Sequence, residues 1–323
     1  TDNPRWRTIL VGGLGAGGNA IYSIDITDIH NPKHLFAIQN DPSNREISHW
    51  NLSGAKNIYS YGSGSGSISK DLNYSKLGET WSTPRIIRLK VNNKDKWVAV
   101  FGAGYNAAVN PDIGSAVYVM DIENEGKLLK DIDIEDQVNV MHNYVFGIPN
   151  GNTKTEFSMS QYGLTSYNVN CCKIRIAGAG DIKYTVTGTL NGDTMSNVKI
   201  NFERAPSNVT ITASKVNKTD IINSLPADLS VITADGTSKA NYDGALIYAS
   251  DLEGKISKIN LTENFNLNSD NILSNVSLTT LFNSQSTSEN GRYVYTRPEV
   301  TINNDNNLWL YFGTGDTQKL HEQ

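Results

Sequence analysis

The sequence predicts an all-β fold: a partial β-propeller of four-stranded antiparallel blades that carries a small β-rich insert. Three observations support this. First, the stretch Leu77–Leu129 reads as three successive strands, Trp81–Leu89, Trp97–Phe101 and Ala116–Ile122. Pro84 is tolerable only at the opening or edge of the first, and Gly102-Ala103-Gly104 closes the second. That order, with glycine ending the middle strand, is how one propeller blade is written. Second, the pattern recurs, and a recurring unit fixes an architecture more firmly than any single strand. Third, between residues 141 and 224 the repeat stops while β-type alternation continues.

The middle strand returns as Thr8–Gly13, Leu246–Asp251 and Leu308–Gly313. The following strand returns as Ala20–Ile26 (AIYSIDI against AVYVMDI) and as Lys255–Leu261. The opening strand returns as Thr296-Arg297-Pro298-Glu299-Val300 against Ser82–Ile86. A blade takes roughly 40–50 residues and a closed ring about 4–8 blades. Outside the insert there is sequence for about three to five. The chain is therefore expected to be part of a larger propeller, with blades over 1–140 and 225–323 and the insert over 141–224.

Gly12–Gly18 has the look of a phosphate-cradling loop. A dinucleotide fold needs a helix directly after such glycines, but Ile21–Ile26 is another β-run, so a flexible hairpin connection is expected. His34–Gln39 reads as an outer strand, and residues 41–76, with Tyr61–Ser67 at their heart, as a flexible polar loop. His30, His34 and His49 are too irregularly spaced for a metal site and are expected to be satisfied or solvated. The acidic run Asp131–Asp136 alternates, which predicts one solvated strand face. Trp81 and Trp97 lie inside strand patterns and are expected in the blade core, where burying such a ring is worth about 2–3 kcal/mol.

In the insert, Ile182, Tyr184, Val186 and Leu190 share one face of a half-buried strand, and Lys183, Thr185, Thr187 and Thr189 the other. Asn191-Gly192 makes a tight turn. Val198, Ile200 and Phe202 then alternate with polar residues, and Ser207–Ala213 does the same, which predicts a small β-sandwich-like or sheet insert. An insertion projecting from a scaffold often carries recognition, and a packing decoration is the competing reading. Cys171 and Cys172 are adjacent. They could bond each other, pair with cysteines elsewhere, or stay free; in an exported protein the oxidised forms are favoured.

Residues 226–261 resume the blade. Oxygen ligands at alternate positions in a glycine-containing loop are what Ca²⁺ uses. Asp235, Asn241 and Asp243 are the candidate calcium ligands, with Thr237 as a weak addition, although Lys239 stands where a further ligand would be expected. A degenerate turn is the competing reading. Thr262–Gly291 reads as a polar stretch before the last two strands.

Composition narrows the function classes. The 323 residues are 38% hydrophobic and 19% charged, as in ordinary globular proteins. A net charge of −5 argues against a phosphate-binding, nucleic-acid-directed surface. No apolar run approaches the roughly 20 residues needed to span a membrane as a helix. Abundant Asn, Ser, Thr, Gly and Tyr with a single cysteine pair suit an exported β-rich protein. Candidate nucleophiles and bases cannot be grouped by spacing into a catalytic set.

Six segments in order, WRTILVGGLGAGGNAIYSIDITD, LGETWSTP, KWVAVFGAGYN, AVYVMDIENEGKLL, LIYASDLEGKISKINL and RPEV…LYFGTG, resemble the C-terminal propeller of the type IV pilus tip proteins of the PilY/PilC family. The resemblance implies a non-enzymatic, exported protein at the cell surface or pilus tip, associated with the outer membrane. Its implied partners are minor pilins, the pilus fibre and a host receptor or matrix. It also implies that Ca²⁺ tunes pilus extension against retraction. The family's calcium loop, Asp-x-Asp-x-Asp-Gly-x-x-Asp, precedes a Tyr-Ala-Gly-Asp strand end. Tyr248-Ala249-Ser250-Asp251 matches that strand end with Ser for Gly, but the loop before it does not keep the Asp spacing.

Two other readings remain. Quinone-dependent (PQQ-type) dehydrogenases are propellers that use Ca²⁺ and an adjacent-cysteine disulfide, which Cys171-Cys172 would supply. Their recurring Ala-x-Asp-x-x-Thr-Gly…Trp blade ending is absent here. A purely structural extracellular propeller is the third.

Overall fold

The computed structural model describes residues 6–61, 68–105, 113–134, 144–169, 172–192, 194–215, 224–233, 244–284, 286, 291–303, 305 and 307–315. It divides into two compact units, residues 1–135 with 218–323, and residues 136–217. Both are all-β.

In the first unit, β1 (Ile9–Gly13), β2 (Ala20–Asp25), β3 (Lys33–Asp41), β4 (Glu46–Trp50) and β5 (Lys56–Ser60) form an antiparallel meander. The connection after Gly13 is a hairpin loop pinned to a neighbouring segment: the Leu14 N–H donates to Thr80 Oγ1 at 2.7 Å. A Cβ on Gly13 would lie 2.6 Å from the Thr80 carbonyl oxygen, so the close approach requires glycine. β4 and β5 correct the expectation of a flexible loop over 41–76. In β4 Ile47, Ser48 and His49 are all buried, so both faces are covered partly by polar side chains, and β5 is largely exposed; alternation of hydrophobicity therefore reveals neither strand.

A second meander follows: β6 (Arg85–Val91), β7 (Lys94–Gly102), β8 (Ala116–Asp121) and β9 (Leu128–Asp133). Asn92 and Asn93, both at positive φ (50° and 61°), make the tight turn between β6 and β7. This sheet is buried on both faces, and period-2 alternation sorts its side chains between two cores. Val98, Val100, Val117 and Val119 enter one core. Ala99, Phe101, Tyr118 and Met120 enter the other, with Ile21, Phe36, Ile38 and Ile47 of the first sheet. Burial on both sides is why VAVF and AVYVM read as continuous apolar runs.

The partner across the first of those cores is a third sheet. It is built from β17 (Ser230–Thr233), β18 (Ala245–Ser250), β19 (Lys255–Asn260) and β21 (Ser277–Asn283), in the order β17-β18-β19-β21. Between its strands, β20 (Asn264–Phe265) pairs in parallel with β6 of the second sheet. β20 and β21 lie within the stretch expected to be merely polar. A hairpin of β22 (Glu299–Ile302) and β23 (Leu308–Tyr311) comes last. The second sheet is thus packed between the first and the third, as a propeller blade is between its neighbours.

Three expectations need correction. Trp81 and Trp97 are 51% and 39% exposed. The opening strand starts at Arg85, so Trp81 precedes it, and in β7 continuous burial begins at Val98, one residue after Trp97. The acidic run is not simply solvated. Asp133 pairs with Lys76, and burial pushes the Asp131 carboxyl above the usual range. Finally, the strand containing Tyr184 and Leu190 leaves those side chains 43% and 57% exposed, because it lies at a sheet edge.

The second unit is a sandwich of two sheets. β10 (Tyr144–Ile148), β16 (Val209–Lys215) and β13 (Cys172–Ala177) form one. The other is centred on β15 (Thr194–Phe202), with β11 (Glu156–Ser158) and β12 (Ser166–Asn168) paired to it and β14 (Tyr184–Asn191) joined to it by a hairpin. Ile148, Phe157, Val198, Ile200, Phe202, Val209 and Ile211 form its core, all within the unit. Val198, Ile200 and Phe202 are buried as their alternation predicts.

Candidate functional site

The strands of the first unit position a set of Asp and Asn side chains at their ends. Asp25, Asp121 and Asn260 each end the strand that follows a middle strand (β2, β8 and β19), and each accepts the backbone N–H two residues on. The donors are Thr27 at 2.9 Å, Glu123 at 3.0 Å and Thr262 at 3.0 Å. These local turns fold the chain out of the strand. In two copies a cation completes the motif. It stands two residues before the position that pairs with the acid: Arg7 before Ile9↔Asp25, and Lys96 before Val98↔Asp121. The Arg7–Asp25 distance is 2.6 Å and the Lys96–Asp121 distance 2.5 Å. In the third copy, Leu246 pairs with Asn260 and the cation's position is Gly244. A Cβ there would lie 2.2 Å from the Leu261 carbonyl oxygen, so acid and cation are both absent from that copy.

Asp25 lines a depression of about 340 Å3 with Arg7, Thr27, Asp28, Asn31 and Lys33. Hydrogen bonds from Thr27, then Arg7, hold its carboxyl far below the usual range, so it is already engaged.

The Tyr248-Ala249-Ser250-Asp251 strand end is buried. Asp251 is 1% exposed and accepts the Lys255 N–H at 2.8 Å. Lys255 Nζ stands 3.5 Å from its Oδ2. Burial pushes the carboxyl up to about 6 against the pull of Lys255. The charges of this hairpin face each other, so Asp251 acts as a turn former.

Asp235, Asn241 and Asp243, with Thr237 and Lys239, lie outside the described residues. Their loop joins β17 to β18, which pair antiparallel from Thr233↔Ala245 inward. Its last residue, Gly244, donates its N–H to the Arg88 carbonyl at 2.6 Å. Cys171 also lies outside the described residues; Cys172 is placed only by its backbone, at the start of β13. His34 and His49 bond backbone carbonyls, of Asn51 at 3.0 Å and Glu125 at 2.9 Å, and His30 is exposed. Among the described residues no group of three or more His, Cys, Asp or Glu could hold a metal, and no helix is long and apolar enough to cross a membrane.

Sequence reasoning missed the ion-pair motif. The signal was available: aligning the copies places Arg7 and Lys96 at one repeat position and Asp25 and Asp121 at another.

The family comparison covers the first two sheets and the start of the insert. Residues 1–153 match the PilY1 beta-propeller domain. The PilY1-like segment therefore contains both copies of the complete ion-pair motif. Among solved structures, the chain is similar to the crystal structure of the Pseudomonas aeruginosa PilY1 C-terminal domain. That similarity has 16% identity and a TM-score of 0.30, over 96% of this chain and 68% of that one. No curated protein matches.

Proposed function

We propose that this chain is the C-terminal propeller region of a type IV pilus tip protein, acting at the cell surface in pilus biogenesis and in adhesion, without turning over a substrate. The PilY1 match over residues 1–153 carries this reading. The pairing of the buried charges within their own strand ends and hairpins supports a non-catalytic role, since Asp121 and Asp251 each answer a lysine. Minor pilins and the pilus fibre are the partners on the assembly side.

The sandwich of residues 136–217 is the part we assign to adhesion. It has its own core and needs none of the propeller's apolar residues to fill it. Deleting residues 136–217 should abolish binding to host cells while pili are still assembled. Retained adhesion, measured beside a pilus count by electron microscopy, rules the assignment out.

We further propose that the loop between β17 and β18 binds Ca²⁺ through Asp235, Asn241 and Asp243, and that occupancy biases pilus extension against retraction. Calcium titration by calorimetry should give binding that an Asp235→Ala, Asp243→Ala double variant loses. Equal binding by both proteins, or by neither, rejects this loop as the site.

A further inference from the structure

We infer that β14 is a self-association edge, and that two copies of this chain pair through it antiparallel about a two-fold axis at Thr187. β14 is the outer strand of its sheet. β15 pairs with β11 and β12 along residues 194–201, and with β14 along residues 194–202. Among the described residues no strand pairs with the far side of β14. Such an edge presents a row of backbone donors and acceptors ready for another strand.

Natural edges are usually blunted by charge, proline or a bulge. β5, the outer strand of the first sheet, begins with Lys56, whose Nζ lies 5.0 Å from the centroid of the Trp50 ring. β14 has no such protection. Its sequence, YTVTGTLN, contains no charged residue and no proline. The bulge in the β14–β15 hairpin is on the other strand: Asn197 and Val198 together oppose Gly188, and Asn197 takes the positive φ of 51°. β14 itself carries no inserted residue and runs for eight residues, exposed at all but Val186.

The occupant is identified by self-complementarity. A closed two-fold interface uses the same patch on both molecules, so residue i meets j and j meets i. With the axis at Thr187, Thr185 opposes Thr189, Val186 opposes Gly188, and Tyr184 opposes Leu190. Cross-strand threonine pairs are favourable, and an uncharged strand meets its copy without like charges facing each other. Tyr184 and Leu190 are the two large apolar side chains that β14 leaves exposed, at 43% and 57%. The dyad places each against the other's copy, so one pairing covers both.

The test uses the full 323-residue chain, examined by sedimentation velocity over a concentration series with Thr187→Glu and Thr187→Gln variants. Thr187 is exposed and opposes Lys199 within its own sheet, so glutamate there is compatible with the folded monomer. Across the dyad it sets two carboxylates against each other. The expected result is a concentration-dependent dimer that Thr187→Glu weakens by about tenfold or more and Thr187→Gln preserves, with both variants melting as the parent does. A parent that stays monomeric throughout overturns the inference. So does a dimer that Thr187→Glu leaves intact, which would place the contact elsewhere.

Discussion

Lys96 and Asp121 are joined across neighbouring strands at 2.5 Å, with the aspartate side chain 1% exposed and the lysine 28%. Arg7 and Asp25 repeat the pair at 2.6 Å, but with the arginine 54% exposed. The same motif in two environments should have two energies. Removing the cation from a buried carboxylate strands a charge, whereas an exposed pair is largely replaced by water. Lys96→Met is expected to cost about 2–3 kcal/mol and Arg7→Ala no more than about 1 kcal/mol, read from urea midpoints. Gly244→Lys, which restores a cation to the third copy, should destabilise. Its φ of 79° and the 2.2 Å approach of the Leu261 oxygen leave no room for a side chain.

Asp251 gives the fold a pH dependence of definite sign. Its carboxyl is pushed up to about 6 by burial, above the model-compound 3.8 that serves for the unfolded chain. Between those values the folded protein holds a proton that the unfolded chain has released. Stability is therefore fully present below about pH 4 and falls as the pH rises through about 6, by about 3 kcal/mol at most. Burial raises Asp131 in the same direction. Asp25, Asp41 and Asp95, held low chiefly by hydrogen bonds, act with the opposite sign and only below the ordinary carboxylate range. Asp251→Asn should flatten the decline between pH 4 and 6 in denaturant melts, and the Asp251→Asn, Asp131→Asn double variant should flatten it further.

Tyr74 belongs to the stretch that reads as a flexible loop, yet it is wholly buried between the first two sheets. Its hydroxyl donates to the Gly126 carbonyl at 2.6 Å, and its ring lies 5.0 Å from that of Tyr118. Burial holds the phenol well above its usual range, so it is a permanent donor. Tyr74→Phe keeps the ring and orphans the carbonyl, at a cost of about 1–2 kcal/mol. Amide exchange should then speed up in both β3, whose Asn40 donates to the Ser75 and Leu77 carbonyls beside it, and β8, which carries Tyr118. Acceleration in one strand alone would mean that Tyr74 does not join the two sheets.

The legible and illegible parts of this chain differ for a physical reason. AVYVMD is legible because both faces of β8 are buried, so every position is apolar until Asp121 ends the strand. EISHW is illegible because the inner face of β4 is satisfied by hydrogen bonding, with His49 bonded to the Glu125 carbonyl, and hydropathy does not register such a contact. Trp97 misleads in the opposite direction: an aromatic in a strand pattern signals the strand but not its depth, and burial starts one residue later. The strand-end acids were visible as residues, but their cations lie 18 and 25 positions away and become partners only through strand register.

The insert should behave as a separate thermodynamic unit. Phe157 is 3% exposed and lies within about 6 Å of three aromatic rings, Phe146, Tyr162 and Phe202, all of the same unit. Its cluster draws its residues only from between Phe146 and Ile211, and neither propeller cluster contains any of them. Phe157→Ala leaves a ring-sized cavity at a cost of about 3–5 kcal/mol. Because no apolar contact in these cores is shared, that cost should be confined to the sandwich. Calorimetry of the full chain is expected to resolve two transitions, with Phe157→Ala lowering one and leaving the other in place, while Val100→Ala in the second sheet does the reverse. A single transition that both variants lower together would mean that the two units unfold as one.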